Sequence, residues 1–121
     1  MIVLDTTVAV DHLRGHEPAR RLLVGHARRN TTVLASEVTR FELLVGVRGH
    51  ELAELEAFFR SIEFVAVTAD VARTAAGFAR QHRRSHSGID KADYLIAATS
   101  VVMSAPLVTT NVKHFPMLAG L

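Results

Sequence analysis

Short apolar runs alternate along the chain with longer stretches in which apolar residues recur every three or four positions. The short runs predict strands over 2–5, 32–35, 63–67 and 106–109. The longer, helix-periodic stretches predict helices over 7–14, 17–29, 37–47, 50–61, 69–86 and 90–103. Ser36 and Thr68 are suited to cap the helices that follow them, because a hydroxyl there can accept an unpaired first-turn N–H. Glu17-Pro18 suits a helix first turn, and Gly15, Gly49 and Gly88 punctuate helix ends. No linker, low-complexity tract or internal repeat interrupts the pattern, so one domain over 1–121 is expected. Strands that alternate with helices imply an α/β fold, a short parallel sheet flanked by helices on both faces.

In open sheets of this kind, ligands bind beyond the carboxyl ends of the strands. Asp5 ends the first strand, Ser36 to Glu42 follow the second, and Thr109, Thr110 and Asn111 follow the last. Residues far apart in sequence are thereby expected on one edge.

Four acids interrupt apolar pattern. Asp5 closes the run Met1–Leu4, Glu42 lies within Phe41–Val47, and Asp93 breaks Ile89–Ala98 one turn after Asp90. A carboxylate taken out of water costs on the order of several kcal/mol unless a cation compensates it. No lysine or arginine has a sequence-local claim on Asp5, Glu42 or Asp93. A hard divalent cation with oxygen ligands, Mg²⁺ in the first instance, is the economical compensation. Each acid also has a plainer reading. Asp5 could cap the next helix, with Thr6 and Thr7 beside it. Glu42 could reach water beside Arg40 or Arg48, although Val38, Val45 and Gly46 share its side and the glycine would admit a close neighbour. Asp90 fits an N-cap, a role compatible with sharing the site of Asp93. Asp93 has Ile89, Ile96 and Ala97 on its helix face, and its neighbour Lys91 points elsewhere, so a functional role is favoured there.

Composition narrows the chemistry. The chain has 121 residues, 49% of them hydrophobic, which excludes disorder. No apolar stretch is long enough to span a bilayer, and the first run is too short for a signal-peptide core. The absence of cysteine fits a cytoplasmic protein. The net charge is only +2, but residues 1–70 hold eight Lys/Arg against ten Asp/Glu, and residues 71–121 hold six against two. An acidic pocket beside a basic rim suits a phosphodiester substrate. Arg80, Arg83, Arg84, Lys91 and Lys113 are the candidate phosphate-binding residues on that rim. His82 and His86 are spaced to chelate zinc, yet Arg83 and Arg84 lie between them and no third ligand is near, so a basic solvated face is the better reading. His12, His16, His26 and His50 are expected on the surface, and His114 within reach of the pocket. No phosphate-binding glycine loop, nucleophile elbow or zinc-finger spacing is present.

Four motifs together resemble the PIN-domain ribonucleases of the VapC toxin type. Ile2-Val-Leu-Asp-Thr-Thr7 resembles the family's opening strand. Phe41-Glu-Leu-Leu-Val-Gly46 resembles its Glu-x3-Gly helix. Ala92-Asp-Tyr-Leu-Ile-Ala-Ala-Thr99 is the most specific match, and Leu107-Val-Thr-Thr-Asn-Val-Lys-His-Phe115 resembles the closing motif. The resemblance implies a three-layer PIN-like domain and a Mg²⁺- or Mn²⁺-dependent endoribonuclease. It maps Asp5, Glu42 and Asp93 onto the core acids, and Thr6, Thr7, Thr109 and Asn111 onto supporting polar positions. It further implies structured RNA such as tRNA as substrate, dimerisation, and a VapB-like antitoxin that wraps the toxin and often places a basic residue in the acidic pocket. The chain departs from the family at Asn111, where a fourth acid is common, which weakens the case for a second metal. It ends about where many relatives begin a last edge strand.

Other classes fit less well. A receiver domain needs an acidic pair near the first strand and a phosphoacceptor Asp after the third, where only Asp70 stands. A haloacid-dehalogenase phosphatase needs a second Asp where Thr7 is. A PIN fold that binds RNA or protein without cutting remains a distinct alternative.

Overall fold

A computed structural model of the chain describes residues 1–82 and 88–118. The strands β1 (Ile2–Leu4), β2 (Val33–Ser36), β3 (Glu63–Val65) and β4 (Leu107–Val108) form one sheet in the order β3-β2-β1-β4. Every pairing is parallel, and Val3 stands opposite Leu34 on one side and Leu107 on the other. The helices are α1 (Thr6–Leu13), α2 (Glu17–Arg28), α3 (Glu37–Gly46), α4 (Leu52–Phe59), α5 (Ala69–His82) and α6 (Lys91–Val102).

The strand period of two divides the core cleanly. Val3, Leu34, Val65 and Leu107 face one way and pack with Ile96 and Ala97 of α6 and with Phe115. Leu4, Val33, Phe64 and Val108 face the other way and pack with α1 through Val8 and Ala9, α2 through Ala19, α3 through Leu43, and α4 through Leu55 and Phe59. Full burial of a side chain the size of Leu4 contributes roughly 1.5–3 kcal/mol. The sheet is thus covered on both faces, as the alternating pattern implied. Val71 and Ala75 of α5 pack on Tyr94 and Ala98 of α6, which joins those two helices.

The expected caps at Ser36 and Thr68 form. The Ser36 hydroxyl accepts the Val38 N–H at 3.0 Å, and the Thr68 hydroxyl accepts the Val71 N–H at 3.2 Å. Boundaries move for local reasons. The first helix begins at Thr6, one residue early, because the Asp5 carbonyl accepts the N–H groups of Val8 and Ala9. The helix expected over 50–61 splits into a 3₁₀ turn, Gly49–Glu51, and α4. There the Glu51 carboxylate accepts the Arg48 N–H while the Glu51 N–H reaches the Arg48 carbonyl. The last two strands are shorter than expected. Pro106 has no N–H to give a ladder, and its carbonyl accepts the Val3 N–H. The helix expected to run to 86 is described as far as His82, with 83–86 outside the described residues.

Two expectations about side chains change. His12 is half-buried, its ring stacked on Phe58 with centroids 5.0 Å apart. Burial, with Arg20 nearby, lowers its pKa. Among the described residues, no atom of another element approaches within 4 Å of where a side chain on Gly46 would begin, so no close neighbour uses that glycine.

Candidate active site

The strand order creates the site. The chain leaves β1 toward β2 on one side, while β4 enters on the other, so a crevice opens beyond the carboxyl ends of β1 and β4. Asp5 stands at the mouth of that crevice, its N–H bonded to the Val108 carbonyl at 3.0 Å. It occupies the N-cap position of α1, yet its side chain caps nothing. Instead the carboxylate, only 3% exposed as a residue, has its Oδ2 held by two hydroxyls. Thr7 donates to it at 2.8 Å and Thr109 at 2.7 Å. Thr109 in turn accepts the Asn111 N–H at 2.9 Å, and Thr110 lies 3.3 Å from the Thr7 hydroxyl.

Glu42 reaches the same edge from α3. The Thr6 hydroxyl donates to Glu42 Oε1 at 2.8 Å and lies 3.0 Å from the buried Thr39 hydroxyl. Thr6 and Thr7 therefore divide the labour: one orients Glu42, the other Asp5. The helix around Glu42 differs from the expectation of an apolar interior. Phe41 and Val45 are 65% and 71% exposed, so Glu42 stands on a half-buried edge between Leu43 and open surface. It also lines a groove of about 400 Å³ with Val10, Leu13, Leu43, Val47 and Leu55.

Asp93 arrives from the first turn of α6. Asp90 is the N-cap there: its Oδ1 accepts the Asp93 N–H at 3.1 Å, and Asp93 Oδ2 accepts the Asp90 N–H at 3.3 Å. Ile96 and Ala97 below it are fully buried against β1 and β2, so the small residues of this motif let the helix approach the sheet. Burial raises the pKa of Asp93. The charges of Asp90 and Asp5 push the same way, while the Asp90 N–H and His114 oppose them. The partner that sequence could not supply is His114, whose Nδ1 lies 3.1 Å from Asp93 Oδ2. It comes from the 3₁₀ turn Val112–His114, anchored by buried Phe115.

The sequence-derived set is therefore brought to one edge, with Thr39 and His114 added to it. Thr39 had a legible signal, one turn before Glu42 on α3. His114 had only its nearness to Asn111. Asp90, Lys91, Arg80 and Lys113 are exposed. The last turn of α5, through Ala79, lines a shallow hollow with Asp90 and Lys91. Arg83 and Arg84 lie outside the described residues, as does His86, so the His82/His86 pair is not described.

The donor set suits a hard cation. Asp5, Glu42 and Asp93 each have one carboxylate oxygen engaged by a hydroxyl or an imidazole, and no side-chain donor is described on the other. Among the described residues no lysine or arginine pairs with any of them. No three His, Cys, Asp or Glu groups among the described residues close on a single ion position. The fit to a cation therefore rests on donor type alone, carboxylate and hydroxyl oxygens of the kind hard cations take.

A model of the PIN domain matches residues 2–120. The chain is 54% identical to "Ribonuclease VapC19" of Mycobacterium tuberculosis (strain CDC 1551 / Oshkosh), over 100% of this chain and 97% of that one. It is 41% identical to "Ribonuclease VapC10" of the same strain, over 100% of this chain and 90% of the other. Among solved structures it is similar to VapBC2 from Rickettsia felis bound to a DNA fragment from their promoter. That likeness has a TM-score of 0.81 and 26% identity, over 100% of this chain and 96% of the other. With strand order, site and relatives in agreement, the chain belongs to the PIN-domain family, among the VapC ribonucleases.

Proposed function

We propose that the chain is the endoribonuclease toxin of a toxin–antitoxin pair, acting in the cytoplasm on structured RNA such as tRNA. Its cofactor is Mg²⁺, with Mn²⁺ as a substitute, held by Asp5 and Asp93 directly or through waters, with Asp90 and Glu42 close by. The observation that carries this reading is Asp5. It is a buried carboxylate with two hydroxyls on one oxygen and no cationic side chain paired with it among the described residues. Such a group costs the fold stability unless it serves a ligand.

A bound divalent ion would supply charge neutralisation at the scissile phosphate and lower the pKa of an attacking water. The chain's own groups do the rest. Thr7 and Thr109 hold Asp5 in one rotamer, and Thr6 holds Glu42. Glu42 or Asp93 accepts the proton of the water that attacks phosphorus. Attack by water, rather than by the RNA 2′-hydroxyl, leaves 5′-phosphate and 3′-hydroxyl ends. Arg80, Lys91 and Lys113, with Arg83 and Arg84, hold the RNA backbone without reading its sequence.

The partner is a VapB-like antitoxin, in a hetero-oligomer or on a toxin homodimer. The groove between α1, α3 and α4 offers apolar walls at Val10, Leu13, Leu43, Val47 and Leu55 beside Glu42. An amphipathic antitoxin segment with a cationic side chain facing Glu42 matches that lining.

The deciding experiment incubates wild type and Asp5→Asn with total RNA, with chelator and then with excess Mg²⁺, and sequences the new 5′ ends. Wild type is expected to give discrete 5′-phosphate ends that chelator removes and Mg²⁺ restores. Equal cleavage by Asp5→Asn would refute the reading.

A further inference from the structure

Asp93 receives an imidazole from a turn 21 residues further along the chain. Its Oδ2 meets His114 Nδ1 at 3.1 Å and also accepts the Asp90 N–H, while no donor is described on Oδ1. The backbone on both sides of this pair is anchored. On one side, the Asp90 cap and buried Tyr94 hold the start of α6. On the other, the His114 N–H bonds to the Asn111 carbonyl and Phe115, 1% exposed, is locked into the core. The Asp93 side chain keeps 16% exposure and the His114 side chain 38%, so the pair borders the crevice without being sealed in the interior.

We infer that His114 is a positioning residue for the reaction. Its Nδ1–H donates to Asp93 Oδ2 and so turns Oδ1 toward the crevice, where the cation is held. The inference rests on the metal-site reading above. His114 acts through Asp93 and touches neither substrate nor ion. It supplies from the β4 side what Thr7 and Thr109 supply to Asp5: a donor that holds one carboxylate oxygen in place. Removing a group of this kind, one bond away from a metal, typically weakens metal affinity by about 10–100-fold.

The test uses the full chain and four proteins: wild type, His114→Asn, His114→Leu and His114→Ala. Asparagine keeps a donor near the position of Nδ1. Leucine has similar bulk and no donor, so this pair answers the question even if alanine does not fold. Mn²⁺ affinity is read by electron paramagnetic resonance of the free ion, without RNA, alongside thermal melts and steady-state RNA cleavage. His114→Leu and His114→Ala are expected to weaken Mn²⁺ binding about tenfold or more and to lower kcat with KM for RNA unchanged. His114→Asn should recover most of both. Unchanged Mn²⁺ affinity in folded His114→Leu, with wild type binding normally, overturns this inference alone. So does a defect that shows only in KM, which would make His114 an RNA-binding group. Wild type that binds no Mn²⁺ in the millimolar range overturns the metal reading itself, and this inference with it.

Discussion

Burial and the neighbouring carboxylates of Asp90 and Asp5 all act against the ionisation of Asp93. Removing that charge while keeping its shape is therefore expected to separate stability from activity. Asp93→Asn retains an oxygen that can accept from His114 and loses the like-charge repulsion of Asp90 and Asp5. Without metal, its melting temperature should hold or rise, by about 4 °C if roughly 1 kcal/mol of repulsion is relieved. Cleavage should be lost even at saturating Mg²⁺. A variant that melts earlier and still cuts RNA would reverse the assignment of Asp93. The acids were legible because a carboxylate on an apolar face violates the pattern around it. Which hydroxyl or imidazole meets which acid was not. Thr6 and Thr39 are separated by 33 residues, His114 and Asp93 by 21, and Thr109 and Asp5 by 104. No local periodicity encodes such pairings, because each depends on which strand lies beside which.

At the scale of elements, the site depends on where helices begin. β2 ends at Ser36 and α3 begins at Glu37, with no loop between them, so the cap also sets the phase of the helix. The Ser36 hydroxyl is fully buried and accepts the Val38 N–H, and that turn carries Thr39 and, one turn later, Glu42. Ser36→Ala should cost about 1 kcal/mol, the usual effect of removing a capping hydroxyl. That corresponds to a drop of about 4 °C in Tm. It should also lower kcat, because Glu42 loses its fixed phase relative to Thr6, with little change in KM for RNA. Full kcat in a destabilised variant would show that the Thr6 hydrogen bond alone places Glu42. The element types and their order followed from hydrophobic period and capping residues, which are local signals. What the pattern could not show was the 3₁₀ turn ahead of α4, where the Glu51 carboxylate accepts the Arg48 backbone N–H, and the short β4, where Thr109 turns from the ladder to bind Asp5. The most specific motif, Ala92 to Thr99, reads mainly as core packing: Ile96, Ala97, Ala98 and Thr99 are all buried, and only its Asp93 faces the crevice.

At the scale of the molecule, the proposed reading gives the two ends of the strands different tasks, and salt dependence can tell them apart. The acidic crevice opens beyond the carboxyl ends of β1 and β4. Lys91 begins α6 beside Asp90, and Lys113 precedes His114, so both exposed cations stand at that edge. Arg28 and Arg29 end α2 just ahead of β2, whose amino end meets β1 where the Ile2 N–H bonds to the Thr32 carbonyl, at the opposite edge. Each cation–phosphate pairing removed should reduce the slope of log affinity against log salt by about 0.7–0.9. Lys91→Ala with Lys113→Ala is therefore expected to flatten the slope by roughly 1.5 and to raise KM. Single-turnover cleavage at saturating RNA should stay near wild type, since on the proposed reading these cations position the backbone without taking part in chemistry. Arg28→Ala with Arg29→Ala removes the same charge from the far edge and should leave the slope unchanged. If both pairs flatten it equally, RNA binding follows net charge alone and the crevice rim has no privileged role. If neither does, the RNA path runs past Arg80, Arg83 and Arg84, and the matching substitutions on that stretch are the ones that should lower the slope.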